Sequence, residues 1–171
     1  MRILIITDAW HPQINGVVRV LDKTAEMLRQ GGDEVMVIEP SMFPTLPAPG
    51  YPEVRLALMP GRKLGRMIED FAPDAIHIPV EGPLGLAAWR YCRKRGIPFT
   101  TSFHTRFGDY IEKRIGHGVD FAYALQRRFH NGGARMMVQT ATLERQLGER
   151  GFSNMAHWGR AVDLQTFHPC R

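Results

Sequence analysis

Two short stretches of the sequence carry residue types that could bind a phosphorylated or hydroxylated ligand. In the first, Asn15 and Gly16 follow an apolar run of strand length and precede an amphipathic segment. Asparagine is a good helix N-cap, and a glycine in the first helical turn lets a phosphate approach the backbone amides closely. The same two residues could equally serve only to cap a helix, since one glycine is a weaker signal than a glycine-rich fingerprint.

The second stretch is centred on His104, which follows another apolar run. An imidazole in that position could donate a hydrogen bond to a phosphate or sugar oxygen, or transfer a proton near neutral pH. A purely structural histidine is the alternative, since the chain contains seven histidines. Arg106 belongs to the same polar stretch and is a candidate for the same cleft.

Three further residues lie just after predicted strands and are candidates for an acceptor or cleft role. Asp8 directly follows the first strand, where it would orient the loop rather than touch a ligand, and His11 lies in that loop. Glu81 follows a later strand, where a carboxylate could accept hydrogen bonds from a hydroxylated ligand or act as a base. The role we favour for Glu81 is to complement the positive end of the helix that follows it.

No residue spacing in the sequence indicates a metal site. His104, His117 and His130 are too far apart to share one helix face, and Cys92 and Cys170 form no Cys-x-x-Cys pair. A Walker sequence is absent as well. Neither a disulfide framework nor a zinc knuckle is expected, and a reducing cytoplasm is the expected compartment.

The elements that must position these residues alternate between strand and helix along the chain. Apolar runs predict strands at 2–6, 34–38, 74–78, 97–103, 135–138 and 154–158. Helical spacing of apolar residues predicts helices over 17–28, 63–71, 83–95 and 141–150, with two more helices between 107 and 131. The proline-rich stretch 39–60 is expected to be a long irregular connection with one short strand at 54–56. This alternation predicts an α/β fold: a doubly wound parallel sheet, Rossmann-like, in three αβα layers.

Length, composition and charge limit the kind of protein further. The 171 residues contain no composition shift, and no apolar run approaches the roughly 18 residues needed to span a bilayer. We therefore expect one domain that is neither exported nor transmembrane. The net charge of +5 indicates an anionic partner. Clusters of basic residues, such as those in this chain, are usually solvated helix faces. If they converge on one surface, an anionic membrane is favoured over nucleic acid, because the clusters lack the spacing of nucleic-acid-binding motifs.

Four stretches, taken together and in order, resemble the retaining glycosyltransferases of the GT-B fold, family 4. They are ITDAWHPQINGVVRVL near the N-terminus, then GGDEVMVIEP, then SFHTRF around His104, and finally WGRAVDLQTFHP. The resemblance covers essentially all of residues 1–171. It implies that the chain is the N-terminal, acceptor-side Rossmann-like domain of a two-domain enzyme whose C-terminal domain would hold the nucleotide-sugar donor.

The resemblance also implies roles for individual residues. Gly16, together with Asn15, would offer its amide to the diphosphate of the donor, and His104 would lie near the transferred sugar. The leaving diphosphate would itself assist the incoming hydroxyl on the same face of the sugar, with no cofactor and no obligatory metal. The expected reaction transfers a hexose from a nucleotide-diphosphate sugar to a hydroxyl acceptor on a membrane lipid, with the enzyme docked peripherally on the cytoplasmic face.

The residues that would grip the donor in the C-terminal domain are absent from this sequence, so we expect the isolated chain to be largely inactive. Two other classes of function stay open. A phosphoacceptor receiver domain also has an acidic residue after its first strand, but the further aspartate and lysine that it needs are missing. A non-catalytic module that binds membranes or proteins is the second alternative.

Overall fold

The computed structural model describes residues 1–104 and 119–159 of the chain. The strands in these ranges are β1 (Arg2–Ile6), β2 (Glu34–Ile38), β3 (Thr45–Ala48), β4 (Tyr51–Ala57), β5 (Ala75–Ile78), β6 (Thr100–Ser102), β7 (Arg135–Val138) and β8 (Met155–His157). The α-helices are α1 (Gly16–Gln30), α2 (Gly61–Phe71), α3 (Pro83–Arg95), α4 (Val119–His130) and α5 (Ala141–Glu149), and one turn of 3-10 helix covers Pro40–Met42.

Six of these strands form one parallel sheet in the order β2-β1-β5-β6-β7-β8. The predicted doubly wound α/β fold is confirmed. The chain leaves β1 for β2 on one side and later returns to β5 on the other side, so the strand order reverses between β1 and β5. In open α/β sheets, such a reversal creates a crevice at the carboxyl ends of the strands, where ligands bind.

The two faces of the sheet are covered by different helices. Helix α1 packs on one face, where its Ala25 contacts a cluster with Ile5 and Val37. Helices α2 and α3 pack on the opposite face in a core that also includes Phe129 of α4. Leu147 of α5 continues that second layer over β7. Side chains that alternate along one strand therefore enter two different environments.

Helix α1 begins at its predicted position because Asn15 caps it. The Asn15 Oδ1 accepts the backbone N–H groups of Val17 and Val18, each at 3.0 Å, and satisfies two donors that lack partners in the helix itself. Helix α3 ends at Gly96, whose φ of 66° lies in the left-handed region that favours glycine.

The prediction for residues 39–60 is wrong in one respect. Strands β3 and β4 pair as an antiparallel hairpin, where the prolines had suggested an irregular connection with one short strand. Pro47 and Pro52 lie inside these strands. A two-stranded ribbon consists only of edge strands, so a residue without an N–H group is tolerated there. Gly50, with φ of 78°, occupies the turn between the strands.

Strand β6 is shorter than predicted, since it covers Thr100–Ser102 and not the whole of 97–103. The neighbouring strands β5 and β7 are also short, and the backbone hydrogen bonds that define β6 end where these two strands end. Of the two helices predicted between 107 and 131, α4 is confirmed. The segment 105–118, which includes Arg106, lies outside the described residues.

Candidate functional site

Strand β6 directs three successive hydroxyl groups to alternate faces of the sheet. Thr100 and Ser102 lie on the face that α1 covers, beside His77 of β5, while Thr101 lies on the opposite face. Each face holds a hydrogen-bonded network that includes a histidine. Both networks lie toward the carboxyl ends of β5 and β6, next to the strand reversal.

The network on the α1 face leads to His104. His77 Nδ1 lies 2.8 Å from Thr100 Oγ1, and His77 Nε2 lies 3.2 Å from Ser102 Oγ. Ser102 Oγ in turn lies 2.7 Å from Nε2 of His104. Thr100 Oγ1 also donates to the carbonyl oxygen of Ile76 at 3.4 Å. A continuous chain of side chains therefore connects the interior of the sheet with the predicted site histidine.

His77 is electrically neutral in this network. Burial, and secondarily the nearby His104 charge, lower the pKa of His77 to about 3. Trp158, just after β8, contacts both rings edge-on, at 6.4 Å from His77 and 6.2 Å from His104 between ring centroids. These contacts support the two imidazoles from the side of the last strand.

The network on the opposite face is centred on His130, which is fully buried. Its Nδ1 lies 2.9 Å from Thr101 Oγ1, and its Nε2 lies 2.9 Å from Oε1 of Glu81. Gln126 donates to the same carboxylate oxygen at 3.0 Å. Burial raises the pKa of Glu81, but the hydrogen bonds from His130 and Gln126 and the His130 charge outweigh burial, and the net pKa is lowered. Glu81 is thus held as a carboxylate, with 32% of its side chain exposed.

Asp8 occupies the N-terminus of α3. Its Oδ1 accepts the Leu84 N–H at 2.9 Å and its Oδ2 accepts the Gly85 N–H at 2.8 Å. Burial raises the pKa of Asp8 to about 6, against the lowering effect of the two amide hydrogen bonds. A Cβ atom at Gly82 would overlap the Asp8 carboxylate, and one at Gly85 would overlap the carbonyl oxygen of Val80. The carboxylate can approach the helix because these two residues have no side chain.

This contact corrects the role favoured for Glu81. The carboxylate that complements the positive end of α3 is Asp8, at a separation of 76 residues from Leu84. Glu81 instead pairs with His130. The sequence does not indicate which of the two carboxylates binds the α3 amides, because Asp8 and Glu81 both follow strands and the fold places those strands side by side.

The loop between β1 and α1 is held by its own polar side chains. Gln13 Nε2 donates to the carbonyl oxygen of Asp8 at 3.2 Å, and Asn15 Nδ2 donates to Gln13 Oε1 at 3.3 Å. His11 lies on the exposed side of this loop, with Nε2 3.2 Å from Asp22 of α1. Beside the Asn15 cap, the position of a Cβ at Gly16 has no atom within 4 Å.

Of the residues predicted for the site, Asp8, Glu81 and His104 follow the adjacent strands β1, β5 and β6, and Gly16 begins the helix that follows β1. His77, Ser102 and His130 were not predicted. A polar Thr-Thr-Ser run within a buried strand was the one available signal, because such side chains need buried partners.

In residues 1–104 and 119–159, no three His, Cys, Asp or Glu side chains are grouped so that they could hold a metal ion. Among the helices in the same ranges, none is long and apolar enough to cross a membrane.

Comparison with known proteins identifies relatives along the whole chain. The family described as Glycosyltransferase Family 4 matches residues 14–166. A GDP-mannose-dependent alpha-mannosyltransferase of Mycobacterium tuberculosis is 26% identical over 99% of this chain and 50% of the relative. The enzyme with the same name from Mycolicibacterium smegmatis is 25% identical, with the same two shares covered.

A third relative has a lipid in its name. An alpha-monoglucosyldiacylglycerol synthase of Streptococcus pneumoniae is 25% identical over 65% of this chain and 28% of its own length. The chain spans about half the length of the mannosyltransferases that it matches. Because the family match extends over residues 14–166 of 171, the chain belongs to glycosyltransferase family 4.

Proposed function

We propose that this chain is the acceptor-side domain of a retaining hexosyltransferase that transfers a sugar from a nucleotide-diphosphate donor to a hydroxyl group of a membrane lipid. The observation that supports this proposal most is the position of His104 at the carboxyl edge of the parallel sheet, in a chain that belongs to a family of glycosyltransferases. Gly16 begins the helix that leaves the same edge, two strands away.

The diphosphate of the donor would bind beside Gly16. The N-termini of α1 and α3 flank the strand reversal at this edge of the sheet, but Asp8 already occupies the amides of Leu84 and Gly85 at α3. At α1, Asn15 accepts the next two amides, and the Gly16 amide takes no part in that cap. The space around Gly16 admits a phosphate oxygen, which a helix N-terminus attracts. Because Asp8 occupies the N-terminus of α3, we assign the donor diphosphate to the N-terminus of α1.

His104 would lie beside the transferred sugar, with Glu81 on the acceptor side of the same cleft. Glu81 is partly exposed and is held as a carboxylate, so it can accept a hydrogen bond from a sugar or acceptor hydroxyl. Developing charge on the leaving diphosphate would be stabilised by amide groups that are already oriented. No metal is part of this proposal. His11 and Arg106 remain candidates for the rim.

GDP-mannose is the donor that the names of the relatives suggest, and a diacylglycerol-type lipid is a suggested acceptor. The net charge of +5 supports a peripheral position on the cytoplasmic face of an anionic membrane. The chain should sediment with anionic vesicles at low salt, detach as salt is raised, and ignore zwitterionic vesicles. Failure to bind anionic vesicles at low salt contradicts the lipid acceptor.

The donor nucleotide would be gripped mainly by a second domain, since the matched relatives are about twice as long as this chain. We therefore expect the 171-residue chain to bind GDP weakly and to turn over no nucleotide sugar. The direct test follows the backbone and imidazole NMR signals during titration with GDP. Shifts confined to the surroundings of Gly16 and His104 support the proposal. A complete absence of shifts there favours a non-catalytic interaction module.

A further inference from the structure

The hydrogen-bond chain behind His104 restricts which nitrogen of its ring carries the proton. Ser102 has one hydroxyl hydrogen, but its oxygen faces Nε2 of both His77 and His104, at 3.2 and 2.7 Å. A hydroxyl can donate to only one of these two nitrogens. At least one of the two imidazoles must therefore carry its hydrogen on Nε2 and donate to Ser102.

The hydrogen bonds at the inner end of this network determine which of the two imidazoles donates to Ser102. Thr100 donates its hydroxyl hydrogen to the Ile76 carbonyl, so its oxygen accepts from Nδ1 of His77. A neutral imidazole has one N–H, and a His77 that is protonated at Nδ1 must accept at Nε2. Ser102 then donates to His77, and the oxygen of Ser102 accepts from His104.

We infer that Ser102 is a positioning residue that holds His104 in its Nε2–H form, and that Thr100 and His77 set the direction in which Ser102 donates. In this form His104 gains a further proton only at Nδ1, which fixes the ring nitrogen available for proton uptake. The tautomer follows from the hydrogen-bond chain alone. Its importance for sugar transfer rests on the proposed function of His104.

The low basicity of His77 supports this arrangement. Burial and the nearby His104 lower the pKa of His77 to about 3, so it stays neutral and able to accept through the physiological range. The groups facing His77 are the hydroxyls of Thr100 and Ser102, the ring of Trp158 and His104. No described carboxylate lies within ion-pairing distance of His77.

The test is the imidazole nitrogen NMR spectrum of the 171-residue chain at neutral pH, where chemical shifts separate protonated from unprotonated ring nitrogens. The wild-type chain should show His104 protonated at Nε2. In Thr100→Val, His77 loses its acceptor at Nδ1 and moves its hydrogen to Nε2. Ser102 is then free to donate to His104, and the Nδ1–H form of His104 should increase by about fivefold relative to Nε2–H, as expected for one hydrogen bond.

Three variants complete the test. Ser102→Ala should give His104 a mixture of both tautomers, and Ser102→Thr, which keeps the hydroxyl, should restore the Nε2–H form. Thr101→Val is the matched control, because Thr101 is the intervening residue of β6 but bonds His130 on the other face; it should leave the His104 signals unchanged.

A wild-type spectrum with His104 protonated mainly at Nδ1 overturns the inference, as does an unchanged His104 tautomer in both Ser102→Ala and Thr100→Val. Either result leaves the GDP titration unaffected. Conversely, a chain that fails to bind GDP but shows the expected tautomers contradicts only the proposed function.

Discussion

Asp8 and Gly85 are joined by a hydrogen bond of 2.8 Å from the Gly85 amide to the Asp8 carboxylate, although 77 residues separate them. The bond connects the end of β1 to the first turn of α3 across the reversal of the sheet. The protein thus places its own negative charge at the N-terminus of α3, one of the two helices that follow the strands beside the reversal. In the proposed function, the external anion binds at the other end, the N-terminus of α1 at Gly16.

Gly85→Ala should destabilise the fold. A methyl group at this position would overlap the carbonyl oxygen of Val80, and a backbone atom cannot move as a flexible side chain can. We expect a loss of about 2 kcal/mol or more in the free energy of unfolding from a urea titration. Gly61→Ala is the matched control, since no atom lies within 4 Å of that Cβ position. Equal stability of the two variants would contradict this packing.

Asp8→Asn should change how stability depends on pH. The pKa of Asp8 is raised in the fold from 3.8 to about 6, so the folded state binds more protons between these values. The stabilising contribution is complete below pH 3.8 and is lost as the pH rises through 6, by at most about 1.4 kcal/mol per pH unit. Urea titrations at pH 4 and pH 7 should therefore show a larger deficit for Asp8→Asn at pH 4. A deficit that grows with pH would be the opposite result.

His77→Gln should remove part of the sensitivity of the fold to acid. The pKa of His77 falls from 6.5 to about 3 on folding, so the unfolded state binds more protons between these values. The stabilising contribution is complete above pH 6.5 and is lost as the pH falls toward 3. The free energy of unfolding of His77→Gln should decrease less steeply than that of the wild type between pH 6.5 and pH 4. Parallel profiles would show that His77 titrates normally in the fold.

His130→Ala should be strongly destabilising. The substitution removes a fully buried ring and leaves Thr101 and Glu81 without their shared partner. We expect a loss of about 3 kcal/mol from the cavity and the broken hydrogen bonds together, measured by urea unfolding. His157→Ala, at the end of β8 on the surface, should change stability by less than about 0.5 kcal/mol. Similar losses of unfolding free energy in the two variants would contradict the structural role assigned to His130.

The sequence was sufficient for the fold where local patterns determine it. The strand at 2–6, the Asn15 cap and the end of α3 at Gly96 follow from residue types that act on their immediate neighbours. The hairpin at 45–57 was missed because prolines, which usually exclude strands, are tolerated in a ribbon made of two edges.

The candidate site was less predictable because its contacts join distant parts of the chain. Asp8 and Glu81 both follow strands, and nothing local indicates which of them binds the α3 amides and which binds His130. His77 and Ser102 are 25 residues apart and meet only because β5 and β6 are neighbours. The position of His104 was predictable from its strand, whereas the hydroxyl that holds its ring was not.

In the proposed function the Gly16 end of α1 receives the diphosphate of the donor, and the affinity of Gly16→Ala for GDP is the measurement that tests this site. A Cβ at Gly16 meets no atom of the chain within 4 Å, so the variant should fold normally while its methyl group occupies the space of the phosphate. Gly61→Ala, at the first residue of α2, has the same open surroundings and serves as the control. We expect GDP binding, measured by calorimetry, to weaken about tenfold in Gly16→Ala, a loss of about 1.4 kcal/mol, and to be unchanged in Gly61→Ala. Equal GDP affinity in the wild type and Gly16→Ala would contradict this assignment.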